Sequence, residues 1–132
     1  MGIPMRTAIL AMLLVVASNS TMAAWYAVSE TETFITFADL ATIRRAGNMV
    51  TMWDLLDHKK VREIEGIRYL SQKSQSEYDC KKELTRPVVL SLHPGIMGGG
   101  ESVFNSSVPD AWQAISRGSV NEALWKLACG KA

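Results

Sequence analysis

The sequence predicts an α+β domain in which one C-terminal helix packs on an antiparallel sheet of about six strands. Three observations lead there. Downstream of residue 24 the signals are mostly β: aromatic and β-branched runs, several of them alternating, broken by turn residues. The closing stretch "SVNEALWKLAC" (119–129) is apolar at helical spacing and carries helix-end residues. The only two cysteines, Cys80 and Cys129, fall at the end of "SEYDC" and at the end of that helix.

Residues 1–24 precede the domain. One basic residue, Arg6, stands before an unbroken apolar run from Ala8 to Ala17, and small residues lead to Ala23-Ala24. This is the layout of a secretory signal peptide cut after Ala23 or Ala24. The run falls short of the ~18 residues that a spanning helix needs. No cysteine lies near the cleavage region, so the expectation is an exported chain, not a lipoprotein, with no membrane anchor after cleavage. The domain is then 25–132, enough for one modest core. Arg6 is the leader's only charge, and the rest holds 13 acidic side chains against an equal number of Lys and Arg. A neutral domain argues against nucleic acid or an acidic membrane surface as partner.

"WYAVS" (25–29) and "TFITF" (33–37) read as strands split by the charged turn Glu30-Thr31-Glu32. "DLATIRRAGN" (39–48) reads as a polar connection closing on a Gly-Asn turn. "MVTMWDLLD" (49–57) is ambiguous by period, but Val, Thr and Trp favour strand. "HKKVREIEG" (58–66) is expected to be a loop or hairpin arm, and "IRYLSQKSQSEYDC" (67–80) a strand with a polar start. In its last part Ser76, Tyr78 and Cys80 share one face, the aromatic and therefore core side. "RPVVLSLHP" (86–94) alternates Val88, Leu90 and Leu92 against Val89, Ser91 and His93. "GIMGGGES" (95–102) is a glycine-rich turn, and "SVF" (102–104) a short last strand.

In the closing helix Ser119 is the N-cap and Glu122 completes a capping box, with Gly130 at the stop. Val120, Ala123, Leu124 and Leu127 form one apolar stripe, and Trp125 and Cys129 a second beside it. A helix apolar over so wide an arc is enclosed on more than one side. It is expected on the inner face of the sheet, stapled by a Cys80–Cys129 disulfide; two free thiols or an intermolecular bond are the alternatives.

The ordered pieces "FADLATIRRAGNMVTMWDLLDHK", "EYDC", "TRPVVLSLHPGIMGGG" and "AWQAISRGSVNEALWKLAC" resemble the surface-adhesin E family, small exported domains of Gram-negative bacteria. The resemblance spans residues 25–129. It implies a single curved antiparallel sheet with the terminal helix held to its concave side by the bond between Cys80 and Cys129. It also implies a surface or periplasmic location and recognition of host extracellular-matrix or serum glycoproteins.

No catalytic set stands out. His58 reads as a solvated strand end and His93 as lying on the outer face of its strand beside Pro94, and no G-x-S-x-G elbow accompanies them. Asp54, Asp57 and Asp79 with the histidines match no metal-ligand spacing. The glycine-rich turn lacks the G-K-[ST] ending of a phosphate loop and is expected to be mobile. Asn105-Ser106-Ser107 is a glycosylation sequon in form only. Trp53, Trp112 and Trp125 are expected in the core. Candidate partner-binding residues are Arg44 and Arg45, Lys59 and Lys60, and Met97, the last as an exposed apolar residue. The expected function is a non-enzymatic, exported binding protein of the surface-adhesin E type, with a protein partner and no cofactor. The alternative is a soluble periplasmic accessory protein that binds a cell-envelope component.

Overall fold

The computed structural model describes residues 24–131; the leader expected at 1–24 lies almost wholly outside them. Seven strands follow one another: β1 (Trp25–Glu30), β2 (Phe34–Ala46), β3 (Met49–Ile64), β4 (Ile67–Asp79), β5 (Leu84–His93), β6 (Phe104–Ser106) and β7 (Gln113–Ala114). A 3₁₀ turn (Ile96–Gly98) follows β5, and α1 (Val120–Cys129) closes the fold. All pairings are antiparallel, in the order β1-β2-β3-β4-β5-β6, with β7 also on β5. Every long strand therefore pairs with its neighbour in sequence.

The expected connection at 39–48 is instead the second half of β2. Register jumps from Asp39↔Trp53 to Arg44↔Thr51, so residues 40–43 bulge out. Within the bulge the Asp39 carboxylate accepts the Ala41 N–H at 3.1 Å. The Thr42 hydroxyl donates to the Asp39 carbonyl at 2.6 Å and accepts the Trp53 N–H at 2.9 Å. A side chain thus satisfies the ladder where the backbone leaves it, and the strand resumes.

Residues 58–64 extend β3, and a two-residue turn at Glu65 and Gly66, both with positive φ, returns the chain into β4. The strand expected at 102–104 begins at Phe104, and the two-residue β7 lay outside the expectation. Between them the Asp110 N–H donates to the Pro87 carbonyl at 2.9 Å, so residues 103–115 run along the outer edge of β5 and blunt it.

The sheet is curved, with α1 on its concave face. The core joins Ala38, Val50, Met52 and Tyr78 from the sheet to Leu124, Trp125, Ala128 and Cys129 from the helix. Ser76, Tyr78 and Cys80 are all buried on the predicted face. Cys80 and Cys129 are bonded, with Cα atoms 5.7 Å apart. Around the staple, the Trp125 indole N–H donates to the Asp79 carbonyl at 3.1 Å and the Arg45 guanidinium to the Cys129 carbonyl at 3.0 Å. Gly130, at φ 68°, ends the helix in the left-handed region. At the other end the Ser119 hydroxyl accepts the Glu122 N–H, while the Glu122 carboxylate takes the Gly118 N–H instead of that of the cap residue.

Of the three tryptophans expected inside, Trp125 is buried and Trp53 half-buried. Trp112 is 36% exposed, lying under the Arg86 guanidinium at 4.4 Å from its ring centre. It sits on the segment that edges β5, where there is no second layer to cover it.

Candidate functional site

The longest strands outrun their neighbours. β2 begins with Phe34 opposite His58, and β5 ends with His93 opposite Ser71. Beyond those points the β3–β4 hairpin projects as an arm, paired only with itself from Arg62↔Tyr69 to Ile64↔Ile67. The arm carries Lys59, Lys60, Arg62 and Arg68 against Glu63 and Glu65, and exposes Val61 and Ile64. At its base a cavity of about 550 Å³ is lined by Glu32, Thr33, Lys59, Lys60 and Arg62. One cation there is partly spoken for: Lys59 Nζ lies 3.9 Å from Glu30. Such an exposed pair is worth little, so the patch stays net positive.

His58, expected to be solvated, is buried at the root of the arm, its ring edge-on to Phe34 and Tyr69. Neither ring nitrogen has a hydrogen-bond partner among the described residues. Burial, and next the Arg62 charge, push its pKa below the ordinary value, so the ring is neutral at neutral pH.

The other candidates lie apart. Arg44 and Arg45 sit at the opposite end of β3 from the lysines, beside the β2–β3 turn. Arg45 caps the helix, and Arg44 donates to the carbonyls of Ala41 and Ile43 in the bulge. Met97 is half-buried, and the exposed apolar residue of that turn is its neighbour Ile96, at 64%. The turn is also not a free hairpin. It is fastened to the convex face over buried Leu55: the Met97 N–H donates to Asp57 at 2.9 Å, and Ser71 Oγ bridges the Gly95 carbonyl and the Gly98 N–H. Gly98 sits at φ 73°, a left-handed conformation that strains any residue with a Cβ, although the nearest atom such a Cβ would meet, Lys73 Cδ at 2.9 Å, can move aside.

His93, expected on an outer face, is buried beneath this turn. Its Nδ1 lies 3.1 Å from the Gly100 carbonyl, an acceptor, so the proton sits on Nδ1 and Nε2 accepts from the Ser91 hydroxyl at 2.8 Å. A hydroxyl beside an oriented imidazole is the start of nucleophilic chemistry. Here both contacts serve to hold the glycine-rich turn against β5. Among the described residues no three His, Cys, Asp or Glu side chains cluster as a metal site.

A second cavity lies on the concave face. α1 has ten residues, ~15 Å of helix, whereas β3 and β4 span ~40–50 Å. The helix covers the Val50–Met52 end and stops short of the rest. The uncovered part is a cavity of about 330 Å³ whose lining includes Thr36, Asp54, Gln72, Ser74 and, from the first turn of α1, Asn121. Asp54 is 4% exposed, and its one side-chain partner is the Ser76 hydroxyl at 3.2 Å. Burial raises its pKa to about 7, with the Ser76 hydrogen bond opposing. Thr36 Oγ1, on the neighbouring strand, is buried with no hydrogen-bond partner among the described residues. Neither residue was singled out as functional in the sequence. The available signal was Asp54 in register with Val50 and Met52, and the polar row Gln72, Ser74, Ser76 running into Tyr78 and Cys80 on one face.

The architecture is a small antiparallel sheet with one covering helix and one disulfide staple, displaying an arm and a cavity. The family model of surface-adhesin protein E matches residues 25–130, and the chain belongs to that family. Among solved structures it is similar to Haemophilus influenzae protein E. Crystal form II superposes with a TM-score of 0.61 at 9% identity, over 78% of this chain and 91% of that one. The selenomethionine form gives 0.59 at 9% identity, over 78% and 90%. At that identity the likeness carries the fold alone. No curated protein matches the chain. Family membership implies a surface or exported protein. No helix among the described residues is long and apolar enough to cross a membrane.

Proposed function

We propose that the protein is an exported adhesin that works by binding, without turnover, and that its β3–β4 arm is the part offered to a protein partner at the cell surface. The arm carries this reading. It projects beyond the sheet and combines exposed Val61 and Ile64 with a net positive set of side chains. Apolar anchors within a charged rim are what protein recognition uses. Family membership supports host extracellular-matrix or serum glycoproteins as partners. In this reading residues 1–24 are a cleaved signal peptide, the mature chain carries no lipid, and Arg44, Arg45 and Met97 stay outside the contact.

The test is binding of the exported protein to immobilised matrix glycoproteins. Lys59→Glu combined with Lys60→Glu should weaken binding about tenfold and flatten its salt dependence, because rim charges steer association. Unchanged binding by a folded variant overturns the arm as the contact. A second reading, a soluble periplasmic accessory protein that binds an envelope component, is favoured by the concave cavity, which is too small for a protein surface. Antibody labelling of intact cells separates the two: labelling supports the adhesin, and labelling only after the outer membrane is opened supports the accessory protein.

A further inference from the structure

The cavity at the base of the arm is open to solvent and electrically one-sided. Its volume is about 550 Å³, and the residues that line it, Glu32, Thr33, Lys59, Lys60 and Arg62, are all exposed. Three cations therefore face a single carboxylate. Among the described residues Lys60 and Arg62 form no ion pair, and Lys59 has only the loose contact with Glu30, which lies outside the lining. Like charges gathered around one space repel, and an anion placed between them removes that cost.

Two features of the backbone build this arrangement. A regular strand would turn Lys59 and Lys60 to opposite faces. Here the register jumps from Asp57↔Ser71 to Arg62↔Tyr69, so residues 58–61 of β3 stand against Leu70 alone. That bulge lets consecutive cations line one cavity. The facing wall, the β1–β2 turn, is pinned in place. The Lys59 N–H donates to the Thr33 carbonyl at 2.9 Å, and Thr31 Oγ1 accepts the N–H groups of Thr33 and Phe34 at 3.2 and 3.1 Å. The two walls thus keep their spacing without a ligand.

The stretch from Lys59 to Arg62 covers up to ~10 Å of strand, longer than one small anion needs. Its cations suit a chain that repeats its negative charges. The aliphatic stems of the lysines and the arginine add apolar wall, on which the C–H faces of sugar rings can lie. The even balance of acidic and basic side chains beyond the leader argues against the other common polyanions, nucleic acid and an acidic membrane. We propose that this cavity binds a segment of sulfated glycan, with Lys59, Lys60 and Arg62 on its sulfate groups and the Thr33 hydroxyl donating beside them. The site rests on the arm as the contact surface and gives that surface its ligand class.

The experiment is an NMR titration of the isotopically labelled exported protein with a size-defined heparin oligosaccharide, beside its fully desulfated counterpart and inorganic phosphate. Saturable shifts at the amides of Thr33, Lys59, Lys60 and Arg62 are expected with the sulfated chain alone. Lys60→Gln with Arg62→Gln should weaken that binding about tenfold. Lys81→Gln with Lys82→Gln removes the same charge from an exposed turn at the other end of β4 and should leave it unchanged. Absence of saturable shifts overturns the proposal. So does equal binding of the desulfated chain, phosphate binding as tight as that of the oligosaccharide, or an equal loss in both double variants. Immobilised matrix glycoprotein, stripped of its sulfated chains or left intact, separates this site from the arm reading. Oligosaccharide binding without glycoprotein binding keeps the site and overturns adhesion through the arm. Glycoprotein binding without oligosaccharide binding overturns the site and keeps the arm.

Discussion

Asp54 is a carboxyl kept where a carboxyl is costly. Its pKa is raised to about 7 from an ordinary 3.8, so between those values the folded protein holds a proton that the unfolded chain has released. Stability therefore falls as pH rises through that window and stays reduced above it. Asp54→Asn should raise the unfolding free energy at about pH 8 by up to about 4 kcal/mol, with little gain near pH 4. Urea denaturation of both proteins at the two pH values checks this; no gain at the higher pH would mean that the native carboxylate is well solvated. His58 acts in the opposite direction, because a lowered pKa makes stability fall as pH drops below the ordinary value of about 6.5. Period-two reading does place Asp54 in register with Val50 and Met52, so its inward face was legible. That His58 and His93 are also buried was not. One lies against Phe34 and Tyr69, the other beneath the glycine-rich turn that follows it, and both covers depend on how the chain folds back.

Helix and staple behave as one element. The Cys80–Cys129 bond closes a separation of 49 residues, for which chain entropy gives roughly 4 kcal/mol. Cys129→Ala should lower the unfolding free energy by a comparable amount, and with it the thermal midpoint, while strand content persists at low temperature, since the β2–β5 ladders do not pass through the helix. Circular dichroism on heating checks this, with mass before and after reduction confirming the bond in the parent. An unchanged midpoint would mean that Trp125 and Arg45 hold the helix unaided. The element was legible because the cysteine faces could be read separately, one from strand alternation and one from helical spacing. The β2 bulge was not, because Asp39 and Thr42 look like turn formers until Trp53 is seen taking the Thr42 hydroxyl as its ladder acceptor.

Across the whole molecule stability should be graded. The middle of β3 and β4 is paired on both sides, whereas the arm beyond Lys59 is paired only within itself. Hydrogen exchange should find the slowest amides at 50–56 and 72–78, with fast exchange at 60–68. Uniform protection would mean that the arm is docked and unavailable to a partner. The meander was largely legible, since each long strand lies beside the next in sequence, but the arm was visible only as a run of alternating charges. How far a hairpin projects depends on where its neighbours stop, which is a relation between strands and not a property of one segment.

The mismatch in length between α1 and the strands beneath it also makes the concave aperture adjustable. One more helical turn before Val120 would advance the helix ~5.4 Å along the sheet and shut the cavity; one turn fewer would widen it. Neither change touches a strand or the staple. The concave face can therefore be reshaped by insertion or deletion at a single junction without altering the arm.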